Sequence, residues 1–377
     1  MLEIYLPIAQ VNVDIFLLLF LSLSVGLLSG LFGVGGGFLM TPFLIFMGIP
    51  PVYAVPNEVN NILATSVSGS LTHWFKNTLD YKMGLLIVSG GAAGTLLGIS
   101  TFSYFSEIGK ISLIISLLYM YLLAIVGTLM IIEGVKEVDR ARKKIIIKKK
   151  LHEHNWFQGL PLRTRFPKSK LYESAITPIL LGLIVGFVAA MMGIGGAFLM
   201  VPAMIYIVGM PVKLIPGTSL FVTIFISAIV TILHAFNYGS IDLFLVLPLI
   251  LGSIIGVQLG QKIGQFLDSS ELKTLFAMLL LAVAIAIGYD SFFRDKTNII
   301  NGSQVLKTDL SALAEFTVRF SNESPFLYGA SAILLAISLG ALTALARKFI
   351  SPIVKKLLVD FKNKNEPKKE EFKFPEK

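Results

Sequence analysis

The sequence predicts an all-α polytopic membrane protein: two inverted repeats of about five membrane segments plus one extra C-terminal transmembrane helix. Three observations lead there. Apolar stretches recur along most of the chain, the chain resembles itself at a fixed offset, and its basic residues gather into two blocks.

Of 377 residues, 55% are hydrophobic and 15% charged, with a mean hydropathy of +0.78. Soluble domains carry about 25% charged residues. Crossing a bilayer core takes roughly 20 helical residues. In the first half, apolar runs lie at about 12–32, 35–50, 57–75, 83–105 and 108–132. In the second half they lie at about 176–192, 195–209, 215–235, 243–263 and 271–293, and a last run at about 325–346 has no counterpart. The first run follows Glu3 and Asp14 rather than a basic segment, and no small-residue cleavage site comes after it, so it is expected to stay in the mature protein. Cysteine is absent, which excludes disulfides, thiol nucleophiles and cysteine metal sites. No cofactor is expected, and no metal.

The self-similarity appears at an offset of 160 residues. Gly33-Val34-Gly35-Gly36-Gly37-Phe38-Leu39-Met40-Thr41-Pro42 then falls on Gly193-Ile194-Gly195-Gly196-Ala197-Phe198-Leu199-Met200-Val201-Pro202, with seven of ten positions identical, and Gly26 falls on Gly186. Small length changes bring Ala64-Thr65-Ser66 onto Gly217-Thr218-Ser219, His73 onto His234, and Gly90, Gly94 and Gly98 onto Gly252, Gly256 and Gly260. This pattern is a duplication.

The net charge of +9 sits mostly in a block from Glu133 to Ser174, which includes Lys148, Lys149, Lys150, Arg163, Arg165, Lys168 and Lys170, and in a tail from Arg347 to Lys377. Beside membrane spans such blocks mark the cytoplasmic face and touch anionic headgroups, so a lipid partner is expected and a nucleic-acid partner is not. The organisation read from this is a first repeat at 1–132, a basic cytoplasmic linker at 133–174 and a second repeat at 175–293. A polar extracytoplasmic loop at 294–324, an extra helix at 325–346 and a basic cytoplasmic tail at 347–377 complete it. If the short second segment of each unit crosses, linker and tail are both inside and the N-terminus is outside. That agrees with the positive-inside rule and makes the two units inverted.

The glycine clusters point to chemistry. Gly33, Gly35, Gly36 and Gly37, and Gly193, Gly195 and Gly196, each followed by a proline, break a helix, since glycine costs roughly 1 kcal/mol relative to alanine. Irregular backbone at membrane depth survives only where protein buries it or where it lines a wet cavity. Amides at the start of the next helix, with its positive dipole end, suit an anion. Gly90, Gly94 and Gly98, and their repeats, instead form smooth packing ridges. Thr65, Ser66, Thr218 and Ser219 are candidate hydroxyl donors to the anion, alongside Ser68, Thr223, Ser227 and Thr231. His73, His234 and Glu58 are the ionisable candidates for proton coupling. His152 and His154 alternate like metal ligands but lack further ligands nearby, which suits a solvated loop.

The repeated GLFGVGGGFLMTPFLIFMGIP and AMMGIGGAFLMVPAMIYIVGMP patterns, each followed by a Thr-Ser step and a Gly-rich span, resemble the TauE/SafE sulfite exporter family, also called the four-toluene-sulfonate uptake permease family. The resemblance covers about 12–293. It implies secondary transport, generally export, of sulfite or small organosulfur anions across a bacterial plasma membrane. The basic linker, the loop after Phe293 and the span near 325–346 fall outside the family's common core. An anion channel, or a membrane sensor or assembly factor without transport, are the alternatives. A serine hydrolase built on Ser68 and His73 is disfavoured because a spacing of five does not share a helix face. No Walker-type motif is present, so an ion or proton gradient is the expected drive.

Overall fold

The computed structural model describes residues 3–32, 39–142, 161–211, 213–263, 269–293 and 312–365. The first cluster, Gly33 to Gly37, the paired histidines His152 and His154, and much of the linker, polar loop and tail lie outside them.

The chain is mostly helical. A hairpin of β1 (Glu3–Leu6) and β2 (Val11–Asp14) precedes α1 (Ile15–Phe32), α2 (Met40–Phe46), α3 (Pro51–Phe75), α4 (Tyr81–Glu107) and α5 (Ile111–Arg142). A second hairpin, β3 (Arg163–Phe166) and β4 (Leu171–Ser174), precedes α6 (Ile176–Met192), α7 (Ala197–Tyr206), α8 (Ile215–Tyr238), α9 (Leu243–Ile263) and α10 (Ser269–Phe293). Helices α11 (Ala312–Glu323) and α12 (Pro325–Asn365) follow.

Among the described residues, five stretches are long and apolar enough to cross a membrane: Tyr81–Glu107, Ile111–Ile132, Ile215–Tyr238, Leu243–Ile263 and Pro325–Leu345. Shorter apolar helices at Ile15–Leu31, Ile176–Met192, Ala197–Tyr206 and Ala277–Tyr289 accompany them. Helix α3 matches the others in length but not in character, because its buried residues include Asn57, Glu58, Asn60, Asn61, Thr65, Ser66, Ser68 and Ser70.

The duplication reaches further toward the N-terminus than the apolar runs reveal. Residues 163–174, which the charge pattern assigns to the linker, form a hairpin whose register, Arg163↔Ser174 to Phe166↔Leu171, repeats Glu3↔Asp14 to Leu6↔Val11 at the same offset of 160. Both turns carry a proline, Pro7 or Pro167, and end on a residue with positive φ, Gln10 or Lys170.

Packing between the units is reciprocal. On α4, a Cβ at Gly90, Gly94 or Gly98 would strike the backbone of Ile179, Leu183 or Phe187 on α6. On α9, one at Gly252, Gly256 or Gly260 would strike the backbone of Leu19, Leu23 or Leu27 on α1, the same positions 160 residues earlier. Small residues thus let backbones touch where lipid supplies no hydrophobic drive. Because both numbers rise together, α4 runs parallel to α6 and α9 runs parallel to α1. Helices α3 and α8 run antiparallel: Asn57, near the start of α3, bonds Ser240 O and Asp242 N beyond the end of α8. Gly217, near the start of α8, lies against His73 and Thr78 at the end of α3. Helix α12 lies parallel along the outer face of α3, with Gly340 against the Ala64 carbonyl and Asn60 Nδ2 donating to Ala332 O.

Candidate functional site

The second glycine cluster breaks the chain as its composition predicts. Helix α6 ends at Met192, and Gly193, Gly195 and Gly196 all take positive φ, at 74°, 67° and 80°, before α7 begins at Ala197. Side chains other than glycine rarely adopt this conformation. Space is equally short: a Cβ at Gly193 would press on Val55 and Thr41, one at Gly195 on Ile62, and one at Gly196 on Val185. The break is therefore buried in protein, packed against α2 and α3.

The antiparallel seam of α3 and α8 runs beside it. Gly69 meets Leu220, and Gly217 meets His73. Extending that register places Ser227 near the level of Ile62 and Thr231 near that of Glu58. Ser227 and Thr231 continue the face of α8 that presents Gly217 and Leu220 to α3, because residues three, seven, ten and fourteen positions on share one side of a helix. Five buried polar atoms around this seam have no hydrogen-bond partner: Asn61 Oδ1, Ser66 Oγ, Ser227 Oγ, Thr231 Oγ1 and His234 Nδ1. Buried polar groups are nearly always satisfied, so such a concentration calls for an occupant.

Glu58 is fully buried. Asn61 Nδ2 donates to both its oxygens, at 3.3 and 3.2 Å, and to Ser253 Oγ of α9 at 3.0 Å. Ser253 in turn donates to Ser22 O of α1 at 3.4 Å. A polar chain thus links α3 to both helices of the α1–α9 pair. Among the described residues no basic side chain forms an ion pair with Glu58. On α5, Tyr119 is buried and its hydroxyl donates to Met192 O, the last carbonyl before the break, at 2.5 Å. A small pocket lined by Pro42, Ile45, Phe46, Ser116, Tyr119 and Ile287 opens next to it.

The histidines occupy equivalent places in different surroundings. His73 is half-buried near the end of α3, with Nδ1 2.9 Å from Thr78 Oγ1. His234 is fully buried, with Nε2 3.1 Å from Ala190 O and its ring edge-on to Phe102 at 4.7 Å between centroids. A carbonyl accepts only, so Nε2 of His234 carries a hydrogen, and Nδ1 is a bare acceptor when the ring is neutral.

The Thr-Ser pairs matched in the sequence are not structural equivalents. Thr218 lies at the start of α8, where its hydroxyl donates to Leu214 O and accepts from Asp80 N. Its counterpart by contact is Asn57, which accepts from Asp242 N in the same way. Thr65 and Ser66 sit roughly two turns deeper along α3. The Thr65 hydroxyl is engaged by Asn61 O and Ile62 O. Ser219 is buried beside Thr218 at that end of the seam, away from its middle. Glu58 and Asn61 are thus joined by hydrogen bonds, and Val55 and Ile62 of the same helix meet the Gly193–Gly196 break. His234 reaches Ala190 just before that break, and Ser66 lies one turn beyond Ile62, whereas His73, Thr218 and Ser219 stand at one end. Reading from sequence missed Tyr119 and Ser253, since a lone Tyr or Ser in an apolar run carries no signal of its own.

A helical bundle with a broken helix, a polar seam and several membrane-length helices is a multi-pass membrane protein of the transporter class. The chain belongs to the TauE/SafE sulfite exporter family, whose description, Sulfite exporter TauE/SafE, matches residues 18–287. It is 29% identical over 271 residues to the probable membrane transporter protein YjnA of Bacillus subtilis (strain 168), covering 72% of this chain and 98% of that protein. It is 26% identical over 285 residues to the probable membrane transporter protein YunE of the same organism, covering 74% and 98%. The probable membrane transporter protein MJ0441 of Methanocaldococcus jannaschii is 27% identical over 278 residues, covering 70% and 91%. No solved structure matches.

Proposed function

We propose that the chain is a secondary transporter that exports sulfite or a small organosulfur anion by alternating access, with its site in the α3–α8 seam against the Gly193–Gly196 break. The observation that carries this reading is the set of five buried, partnerless polar atoms around the seam. Three are hydroxyls able to donate to an oxyanion, and His234 becomes a fourth donor when its ring takes a proton at Nδ1. Glu58 is the second proton carrier. An ionisable group at membrane depth without a counter-ion is a functional site by default. The first cluster, Gly33, Gly35, Gly36 and Gly37, is proposed to supply the matching break in the first unit.

The antiparallel α3–α8 pair and the reciprocal α1–α9 and α4–α6 packing support an inverted repeat, the plan in which one unit rocks against the other. Charge supports the orientation. Lys76, Lys82, Arg163, Arg165, Lys168, Lys170 and Lys213 are all exposed at the end of the bundle where α3 finishes, which supports a cytoplasmic place for that end. The localisation that follows is a bacterial plasma membrane with the N-terminus outside and the tail inside, its basic residues against anionic headgroups.

Reconstitution into liposomes with labelled sulfite, sulfate, thiosulfate and sulfonates, with and without a pH gradient, tests the reading. Saturable, gradient-driven flux with counterflow is expected. Flux that never saturates would make the protein a channel, and no flux of any of these anions would remove the transport reading.

A further inference from the structure

Each hairpin is fastened to the opposite unit rather than to its own. In the first turn, Ile8 N and Ala9 N donate to Asp242 Oδ2 at 2.9 and 3.3 Å. Asp242 Oδ1 accepts from Phe244 N at 3.0 Å at the start of α9, and Asp242 N donates to Asn57 Oδ1 of α3 at 2.7 Å. In the second turn, Ser169 donates through both N and Oγ to Asp80 Oδ2. Asp80 Oδ1 accepts from Met83 N at 3.2 Å at the start of α4, and Asp80 N donates to Thr218 Oγ1 of α8 at 3.0 Å. The same four-part knot is tied twice with the units exchanged.

Both aspartates are buried, Asp80 at 2% and Asp242 at 0% exposure. Each carboxylate ties its hairpin to a helix start through charge-assisted bonds, which are stronger than neutral ones, and the backbone amide of the same aspartate ties both to the seam helix. One knot sits at the start of α3 and the other beyond its end, so they close opposite ends of the α3–α8 seam. Neither belongs to the polar cluster where the substrate is proposed to bind.

We propose that Asp80 and Asp242 are alternating locks, positioning residues that each hold one end of the seam shut, and that the transport cycle releases one hairpin while the opposite aspartate keeps its own. This rests on the two-unit transporter reading. In an exchange between two packed arrangements, a contact made in only one of them sets the balance between the two. Removing either lock therefore tips that balance toward its own end.

The natural absence of cysteine allows a single reporter, Ile62→Cys in the seam beside Gly195, in the full chain reconstituted in one orientation. A membrane-impermeant maleimide is applied from either side without substrate. Asp242→Ala is expected to raise labelling from the Asp242 end relative to the other by about tenfold, the scale of one charged hydrogen bond, and Asp80→Ala to shift the ratio the opposite way. A shift in the same direction for both, or an unchanged ratio in folded protein, would overturn the proposal. If the alanine variants do not fold, Ser169→Ala decides. It removes one bond to Asp80 and leaves the helix cap intact, so it should shift the ratio in the Asp80→Ala direction, and an unchanged ratio would overturn the locks. Flux of labelled sulfite, sulfate, thiosulfate and sulfonates is measured separately in the same vesicles. Opposite labelling shifts without flux of sulfite, sulfate, thiosulfate or sulfonates would uphold the locks and defeat the substrate reading, whereas flux without labelling shifts would defeat the locks alone.

Discussion

Thr231 and Thr65 bury the same hydroxyl in opposite circumstances. The Thr65 hydroxyl bonds the carbonyls of Asn61 and Ile62 one turn back, while that of Thr231 has no partner. A buried hydroxyl without a hydrogen bond costs about 1–3 kcal/mol. Thr231→Val is therefore expected to raise thermal stability by about 1 kcal/mol and to lower flux, a combination that a purely structural residue does not produce. Thr65→Val should leave flux unchanged, as its hydroxyl serves the backbone. Melting curves and liposome flux on the two variants check both. Glu58→Gln keeps the volume and removes the charge, so flux should lose its dependence on a pH gradient while the protein stays folded. Retained gradient dependence would remove Glu58 from coupling. Glu58 and Asn61 are legible in the sequence as polar residues inside an otherwise helical, membrane-length run. Tyr119 and Ser253 are not, because only the crossing of α5 and α9 with the break and α3 gives them a role.

At the scale of elements, the helices were legible and the hairpins were not. Long apolar runs bounded by Gly, Pro and charge read directly as α4, α8 and α9. The four-residue strands at 163–166 and 171–174 read as basic linker because each is too short to show an apolar run and they carry Arg163, Arg165 and Glu173. The offset of 160 aligns Pro7 with Pro167 and is the one signal that reaches them. Glycine spacing read as packing ridges corresponds to backbone contact in the structure: a Cβ at Gly94 would fall on the Leu183 carbonyl, and both partners are helix backbone with nowhere to move. Gly94→Leu is expected to cost more than about 3 kcal/mol, beyond ordinary overpacking, and to prevent assembly of α4 on α6. Gly109→Ala differs in kind: its Cβ meets nothing, leaving only the strain of positive φ. Comparing yields of monodisperse protein in detergent distinguishes the two, with Gly94→Leu the far lower.

At the scale of the molecule, the described chain is a family core with an addition laid against it. The family description ends at residue 287, while α12 begins at Pro325 and packs along α3, the helix that carries Glu58, Asn61 and Ser66. The contact is close: Gly340 abuts the Ala64 carbonyl, Asn60 donates to Ala332 O, Thr343 Oγ1 reaches Ser68 Oγ at 3.3 Å, and Gly329 abuts Ala235 of α8. The contacts with α3 lie on its face that carries Asn60, Ala64 and Ser68. The seam face carrying Ile62, Ser66, Gly69 and His73 looks the other way, since positions two apart on a helix point about 160° from each other. A brace on the outer face stabilises α3 without entering the site. Ending the chain at Glu323 would leave Asn60 and Ser68 facing lipid, where a polar side chain lacks partners. The truncated protein is therefore expected to melt lower by roughly 5 °C, on the scale of one or two lost hydrogen bonds, yet to keep saturable flux. Gly340→Leu, which wedges α12 away from α3, should reproduce the loss of stability in the full chain. Flux abolished in a truncated protein that still melts cooperatively would instead make α12 part of the transport path, and the seam would then have to be extended to the Asn60 face of α3.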